Sequence, residues 1–473
     1  MILIIVNKKY NNSLVWFRRD LRDYDHAALS HALQESKQVF CIFIFDKEIL
    51  DVLKNKEDRR VEFIWESIKE LKESLIQKKS DLIVIHSLAS EAITRVIDTF
   101  KIDAIYINRD YEPYAIKRDE EIRNIAIKKN VDFYDFKDQV VFEKDEILTA
   151  LEKPYTVFTP YKNNYLKKLS QTSLPRFDIE PFIENLAQFK SDPLLSLEDM
   201  GFKKTNLHQI KIHTGMTGGK LLVEDFKERI ALYKKTRDFP AIKGVSYLSV
   251  HLRFGTLSIR QLFRLTQESF SEGAETWLNE LIWREFYFQI LFHRPDVALG
   301  RAFKKDYESI AFENNPDYFK AWTDGQTGFP IVDAAMRQLN QTGFMHNRLR
   351  MIAASFLVKD LLVDWRWGEA YFAEKLIDFD LSANNGGWQW AASTGCDAQP
   401  WFRIFNPITQ SLRFDPQGKF IKKYVPELDK FCEDEIHSPW LSQNTNKIDY
   451  PKPIVDHAAQ RIKALALYKS VKN

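Results

Sequence analysis

Residues 383–395 read ANNGGWQWAASTG, crowding two asparagines, two glycines and two tryptophans between positions 384 and 390. As a strand, the stretch would put Trp388 and Trp390 on one face and waste the small residues around them. As a helix interior, it would lose roughly 1 kcal/mol at each of Gly386 and Gly387. The segment is therefore read as a tight turn feeding a helix. Glycines there let a backbone approach something flat and large, and Asn384 offers a neutral donor and acceptor on a short reach. The alternative is that both indoles fill a core, the ordinary place for tryptophan. The stretch alone does not decide.

Around it lies a chain of 473 residues, long enough for two domains. Its 45% hydrophobic and 28% charged content are those of a globular protein. Aromatic residues reach 14%, which suits a flat ligand or unstacked bases as well as large helical cores. The net charge of +2 neither demands nor excludes nucleic acid, because binding needs only a local patch of Lys and Arg. Cys41, Cys396 and Cys432 stand far apart, so no disulfide framework, zinc site or iron–sulfur site is expected. A reducing cytoplasm is the expected compartment. The apolar opening MILIIV is too short for a signal peptide, and no run is long enough for a membrane span.

The first part of the chain alternates β-rich runs, SLVWF (13–17), VFCIFIF (39–45), DLIVIH (81–86), DAIYIN (103–108) and VDFYDF (131–136), with amphipathic segments such as 58–78 and 112–130. This alternation predicts a doubly wound parallel α/β sheet over residues 1–136. After the first strand stands RRDLRDYD (18–25) rather than G-x-G-x-x-G, so ordinary dinucleotide binding at that turn is not expected. Residues 137–205, rich in proline, read as an interdomain connector. Residues 206–473 read as a helical domain, with helices at TWLNELIWREFYFQILFH (276–293) and MHNRLRMIAASFLVKDLLVDW (345–365). TGGK at 217–220 lacks the rest of a phosphate loop.

Two helix faces carry the candidate chemistry. Helical spacing puts Glu280, Trp283, Arg284 and Tyr287 on one stripe, opposite an apolar one of Leu281, Phe288 and Phe292. A carboxylate, an indole, a guanidinium and a phenol make a poor core stripe, leaving a binding face or a solvated, salt-bridged one. In the second helix Asn347, Arg350, Met351 and Ala354 share a face, a mixture that suits a pocket wall. Asp378 and Asp380 flank Phe379, and one of them is expected to pair with Arg350. No histidine or third acid accompanies these two aspartates locally, so a metal site is not expected, and His346 is unsupported as a ligand.

Seven segments then carry a resemblance in order and spacing: LVWFRRDLRDYDHAAL, RDFP, WLNELIWREFY, TGFPIVDAAMRQL, GFMHNRLRMIAASFLVKDLL, DFDLSANNGGWQWAASTG and RIFNP. They resemble the photolyase and cryptochrome family, most nearly its bacterial class I members that repair cyclobutane pyrimidine dimers, over nearly the whole chain. The resemblance implies an N-terminal antenna domain and a helical domain holding flavin adenine dinucleotide (FAD). Tyr233, Val245, Ser246, Tyr247, Leu248, Ser249, Trp277, Arg350, Asp378, Phe379, Asp380 and Asn384 would line the flavin, with Asn384 facing its N5. Val245 departs from the threonine common at that place, which removes one hydroxyl contact.

On the substrate side the resemblance implies UV-damaged DNA with the dimer swung out of the duplex. Glu280 and Asn347 would hydrogen-bond the dimer, Trp283 and Trp390 would pack its rings, and Tyr287 and Met351 would complete the pocket. Arg237, Arg284, Arg348 and Arg403 are candidate phosphate contacts. The implied mechanism is excitation of the reduced anionic flavin, electron transfer to the dimer, ring splitting and return of the electron, with Glu280 stabilising the dimer radical anion.

Trp388 and Trp365 match the inner two of the family's three electron-carrying tryptophans, and Phe312 stands at the outermost position. Slow photoreduction, or a bypass through Trp322, Tyr318 or Tyr307, is expected. Tyr114 and Ala115 replace the asparagine and glutamate that grip folate in relatives, and Ala298 and Leu299 lack polar reach. The antenna is therefore left between methenyltetrahydrofolate, a flavin, a deazaflavin and none.

A signalling cryptochrome is disfavoured by Asn384 and by the absence of a long tail before Asn473. A (6-4) photoproduct enzyme is disfavoured by Asn347 in MHNRLRM. A monomer is expected.

Overall fold

The computed structural model describes residues 8–442 and 449–471; the opening MILIIV and the terminal Asn473 lie outside the described residues. The chain divides into two compact units that interleave along the sequence. One comprises residues up to Glu143, Lys168–Lys227 and Ser246–Glu268; the other comprises Lys144–Lys167, Glu228–Val245 and Ser269 onward. The expected connector is thus divided between the two and carries a helix, Phe158–Leu169. The segment 246–268, expected in the helical domain, belongs to the first unit.

The first unit is built on a five-stranded parallel sheet: β1 (Tyr10–Phe17), β2 (Ser36–Asp46), β3 (Leu82–Ser87), β4 (Ala104–Asn108) and β5 (Asp132–Phe136), in the order β3-β2-β1-β4-β5. Val15 of central β1 pairs with Cys41 on one side and Tyr106 on the other. Leu14, Val15, Trp16 and Phe17 are all buried, because helices cover both faces of such a sheet and no residue of a central strand points to water. The helices Arg59–Gln77 and Pro113–Lys128 start where local chemistry favours them, the first behind Asp58, whose carboxylate accepts from Arg60 N–H at 2.8 Å, the second on a proline.

The RRDLRDYD turn is occupied by ion pairs. Arg22, 1% exposed, pairs with Asp138 at 2.6 Å; Arg260 bridges Asp138 at 2.8 Å and Asp25 at 3.1 Å; Arg264 reaches Asp25 at 2.8 Å. Such buried charges persist only when paired and hydrogen-bonded throughout. TGGK lies in the Gly215–Lys227 helix, where a Cβ at Gly218 would come within 2.7 Å of the His213 backbone and one at Gly219 within 2.7 Å of Leu257. Those glycines serve close packing.

The second unit is helical around one core that includes Trp322, Trp365 and Trp388. The long helix Glu272–His293 forms as expected, capped by Ser271. The stretch 345–365 is not one helix, however. Asn347–Ser355 is α-helical, Phe356–Asp360 widens to a π turn, Leu362 takes φ 51°, and a new helix, Trp365–Lys375, begins at Trp365 behind Asp364. Periodicity could not reveal this break, since Leu357, Val358, Leu361 and Val363 are all buried. Among the described residues no helix is long and apolar enough to cross a membrane. All three cysteines are free.

Candidate active site

The opening stretch is helical from Ala383 to Ala391, both glycines included, correcting the expectation of a turn there. The helix Leu381–Ala391 includes both glycines. Asp380 caps it, accepting from Ser382 N–H at 3.1 Å and Ala383 N–H at 3.3 Å, and is therefore not the partner of Arg350. The helical cost of Gly386 is offset by packing, because a Cβ there would overlap the Tyr287 ring of the Glu272–His293 helix. At Gly387 a Cβ would meet nothing within 4 Å. Two residues apart on a helix are about 200° apart around its axis, so the two indoles separate. Trp388 is buried in the core, against Phe372 at 4.9 Å and Gly368, while Trp390 is only partly buried.

The two asparagines divide similarly. Asn385 is locked into a buried amide network: it donates to Val297 O at 3.1 Å and Glu369 Oε1 at 2.9 Å, and accepts from Gln389 Nε2 at 2.9 Å. Asn384 donates to Glu369 O at 3.1 Å, which leaves its Oδ1 as an acceptor without a partner among the described residues. Burial pushes the Glu369 carboxyl up to about 7, against the Asn385 hydrogen bond that favours its charged form. Glu369 was not singled out from sequence, since its role depends on the amides of the following helix. The buried Trp388 Nε1 has no hydrogen-bond partner among the described residues.

Arg350 grips Asp378 with one nitrogen on both carboxylate oxygens, at 3.0 and 2.8 Å, and its Nε donates to Met345 O at 2.9 Å. The pair expected from sequence thus forms, with Asp378 as the partner. His346 caps its helix, Nδ1 accepting from Arg348 N–H at 3.1 Å, and burial lowers its imidazole to about 4. On the same helix Asn347 is exposed and Met351 half-buried.

The mixed stripe of Glu272–His293 is satisfied within the second unit. Glu280 accepts from Arg237 Nη1 at 2.6 Å. Trp283 stacks on Phe158 with centroids 3.7 Å apart and an 8° interplanar angle, and Arg284 lies over Phe288 at 4.5 Å. Glu285, buried one position further along, accepts from Tyr165 Oη at 2.6 Å. Tyr165 and Phe158 come from the segment read as connector, so sequence gave no signal for either contact. Arg348 pairs with Asp238 at 2.8 Å, whereas Arg403 is exposed and has no side-chain partner among the described residues.

Tyr233 and Trp277 are buried, Phe379 is half-buried, and the Val245 carbonyl accepts from Arg229 Nη1 at 2.9 Å. In the first unit, Tyr247 takes φ 60°, Leu248 is buried with its N–H on Ser246 Oγ at 3.4 Å, and Ser249 opens a short helix. Trp365 is fully buried; Phe312 is half-buried and meets Tyr468 edge-on at 6.5 Å. Trp322 lies 6.0 Å from Trp388 and stacks at 5.9 Å on Phe319, which meets the partly exposed Trp367 at 5.2 Å. Tyr307 is buried, and Tyr318 packs on the core half-buried.

Residues 13–180 match the family described as DNA photolyase, and residues 277–470 match the FAD binding domain of DNA photolyase. The chain belongs to the DNA photolyase family. It is 40% identical to the deoxyribodipyrimidine photo-lyase of Escherichia coli, covering 97% of this chain and 98% of the relative. With the Vibrio cholerae deoxyribodipyrimidine photo-lyase it shares 39% identity, covering 97% and 99%. Among solved structures, a bacterial class III photolyase from Agrobacterium tumefaciens superposes with a TM-score of 0.89 at 32% identity, covering both chains fully. An archaeal photolyase from Sulfolobus tokodaii with two FAD molecules superposes at 0.82 with 35% identity, covering 97% and 100%. In photolyase terms, Arg350, Asp378, Asn384 and Trp388 all fall within the span that matches the FAD binding domain. Their chemistry suits a flavin: a fixed ion pair, an available amide acceptor and an orphaned buried indole donor.

Proposed function

We propose that this chain is a deoxyribodipyrimidine photo-lyase that splits cyclobutane pyrimidine dimers in DNA under light. Near-complete alignment with relatives of that name carries the reading, and the Arg350–Asp378 pair with the free Asn384 Oδ1 supports it. When bound, reduced FAD supplies the photochemistry, absorbing near-ultraviolet or blue light and lending the electron that opens the cyclobutane ring.

The residues supply position and charge. Arg350 and Asp378 would brace the flavin ring, and Asn384 would offer its Oδ1 as an acceptor to the reduced ring. Tyr233, Val245, Trp277, Phe379 and Asp380 are proposed to line the cofactor, and Ser246–Ser249 are assigned to it from the resemblance alone. Glu280, held by Arg237, would hydrogen-bond the flipped dimer with Asn347. Trp283, Tyr287, Met351 and Trp390 would pack its rings, and Arg237, Arg284, Arg348 and Arg403 would meet phosphates. Trp388 and Trp365 can carry an electron through the core; Phe312, far harder to oxidise, cannot continue that route. Trp322, in edge contact with Trp388, favours a bypass.

A light-harvesting chromophore in the first unit belongs to the same reading. The Tyr114 hydroxyl is committed to Asp46 at 3.1 Å and Glu48 at 3.2 Å, and the Ala115 side chain has no polar atom, so the folate grip is missing, which leaves a flavin, a deazaflavin or no antenna as the alternatives to methenyltetrahydrofolate. Absorbance of the chromophore released on denaturation separates these from methenyltetrahydrofolate. We take the protein to act as a cytoplasmic monomer, which light scattering with and without DNA checks for its oligomeric state.

The decisive experiment uses chemically reduced protein and an oligonucleotide carrying one thymine cyclobutane dimer, scored for dimer loss in the dark and under blue light. Loss only in the light is expected. No loss despite bound reduced flavin and DNA binding would overturn the assignment.

A further inference from the structure

Three side chains of the first unit, Glu62, Glu66 and His208, converge. Glu62 and Glu66 lie one turn apart on the Arg59–Gln77 helix and therefore share a face. His208 stands in a turn in which Ile210 N–H meets Asn206 O at 3.1 Å and Lys211 N–H meets His208 O at 3.2 Å. Arg59 Nε donates to Asn206 Oδ1 at 2.7 Å, which ties that turn to the helix. One donor atom from each of Glu62, Glu66 and His208 lies within 4.8 Å of the others, and His208 Nε2 is 3.5 Å from Glu66 Oε1.

Glu62 is only 1% exposed. Its Oε2 accepts from Thr205, from the backbone N–H at 2.8 Å and from the hydroxyl, while its Oε1 accepts no hydrogen bond among the described residues. No lysine or arginine among the described residues pairs with Glu62 or Glu66. A carboxylate this deeply buried ordinarily requires a cation. His208 and Glu66 have side-chain exposures of 70% and 21%, so the cluster opens to solvent on one side and is anchored in the interior on the other.

We propose that Glu62, Glu66 and His208 form a binding site for one divalent transition-metal ion of the zinc class, pinning the 206–211 turn to the Arg59–Gln77 helix. Two carboxylate oxygens and an imidazole nitrogen make a mixed set that suits zinc, cobalt or manganese, with solvent completing the coordination. Calcium and magnesium favour all-oxygen sets. At bond lengths near 2.1 Å, donors around one ion stand about 3.0 to 4.2 Å apart, so the observed spacing closes on an ion with small side-chain movements. The chain positions hid the site, because His208 lies far from the two glutamates in sequence. The inference is independent of the repair reaction.

The test is equilibrium dialysis of the tag-free, flavin-loaded protein against Zn²⁺ after chelator treatment, with metal counted by elemental analysis. It is run in parallel on His208→Ala and Glu66→Gln, two side chains that reach solvent. About one ion per chain is expected, with affinity at least about tenfold lower in each variant. Zinc should raise the melting temperature of the parent and leave that of the variants nearly unchanged. Equal zinc retention by parent and variants would place the metal on other groups, such as the exposed Cys432, and would overturn the proposal, as would failure of the parent to bind.

Discussion

Glu369 offers a quantitative test of how the second unit is assembled. Burial raises its carboxyl from 4.5 to about 7, outweighing the hydrogen bond from Asn385. In the unfolded chain the group ionises near 4.5; in the folded protein it stays protonated until pH approaches 7. Within that window the unfolded state has released a proton that the folded state retains, so stability falls as pH rises from 4.5 to 7 and levels off above. At about 1.4 kcal/mol per pKa unit, the loss is about 3 kcal/mol. Glu369→Gln keeps an amide oxygen for Asn385 and cannot ionise. Urea unfolding of the flavin-loaded protein and the variant, at intervals from about pH 4 to pH 8, should give free energies that nearly coincide at the acid end and separate by about 3 kcal/mol at the alkaline end, the variant being more stable there. A constant difference across the series would show that Glu369 has the same pKa in the folded and unfolded chain and would refute the reasoning.

Four further outcomes follow from the geometry. Phe312→Trp should speed photoreduction, read by flavin absorbance under blue light with a thiol reductant; an unchanged rate would mean that the electron already leaves through Trp322. Arg350→Met strands Asp378, whose side chain is 4% exposed, and should cost about 3 kcal/mol together with a fall in bound flavin; full flavin content at unchanged stability would contradict the bracing role. Gly386→Ala drives a methyl into the Tyr287 ring and should lower stability by about 1–3 kcal/mol in a thermal melt, whereas Gly387→Ala, with open space beside it, should show no clash penalty. Arg403→Ala should leave the melting temperature unchanged, weaken DNA binding and reduce the slope of log affinity against log salt by about one; an unaltered slope would remove Arg403 from the phosphate contacts.

The five strands were legible because each is a short apolar run bounded by polar helix, and a parallel sheet buried on both faces demands that pattern. The Glu272–His293 helix and the Arg350 partnership were legible for similar reasons: the period of 3.6 and the cost of an unpaired buried charge both act at short range. Two misreadings share an opposite cause. Helix propensity disfavours glycine and so predicts a turn at Gly386, yet the Tyr287 ring from a distant helix fills the space its missing Cβ leaves. Periodicity predicts one continuous helix over 345–365 because its buried residues are apolar through the break.

Residue order and spacing thus carried the α/β-then-helical plan, the family resemblance and the Arg350–Asp378 pairing. They could not say that Asn385 is structural and Asn384 available, that Phe158 covers one face of Trp283, that Glu369 is held near neutrality, or that His208 meets two glutamates. Each of those facts depends on side chains far apart in sequence arriving within a few ångströms. Local propensity and periodicity carry no information about such encounters, because their energies arise from desolvation and packing that exist only after the chain has folded.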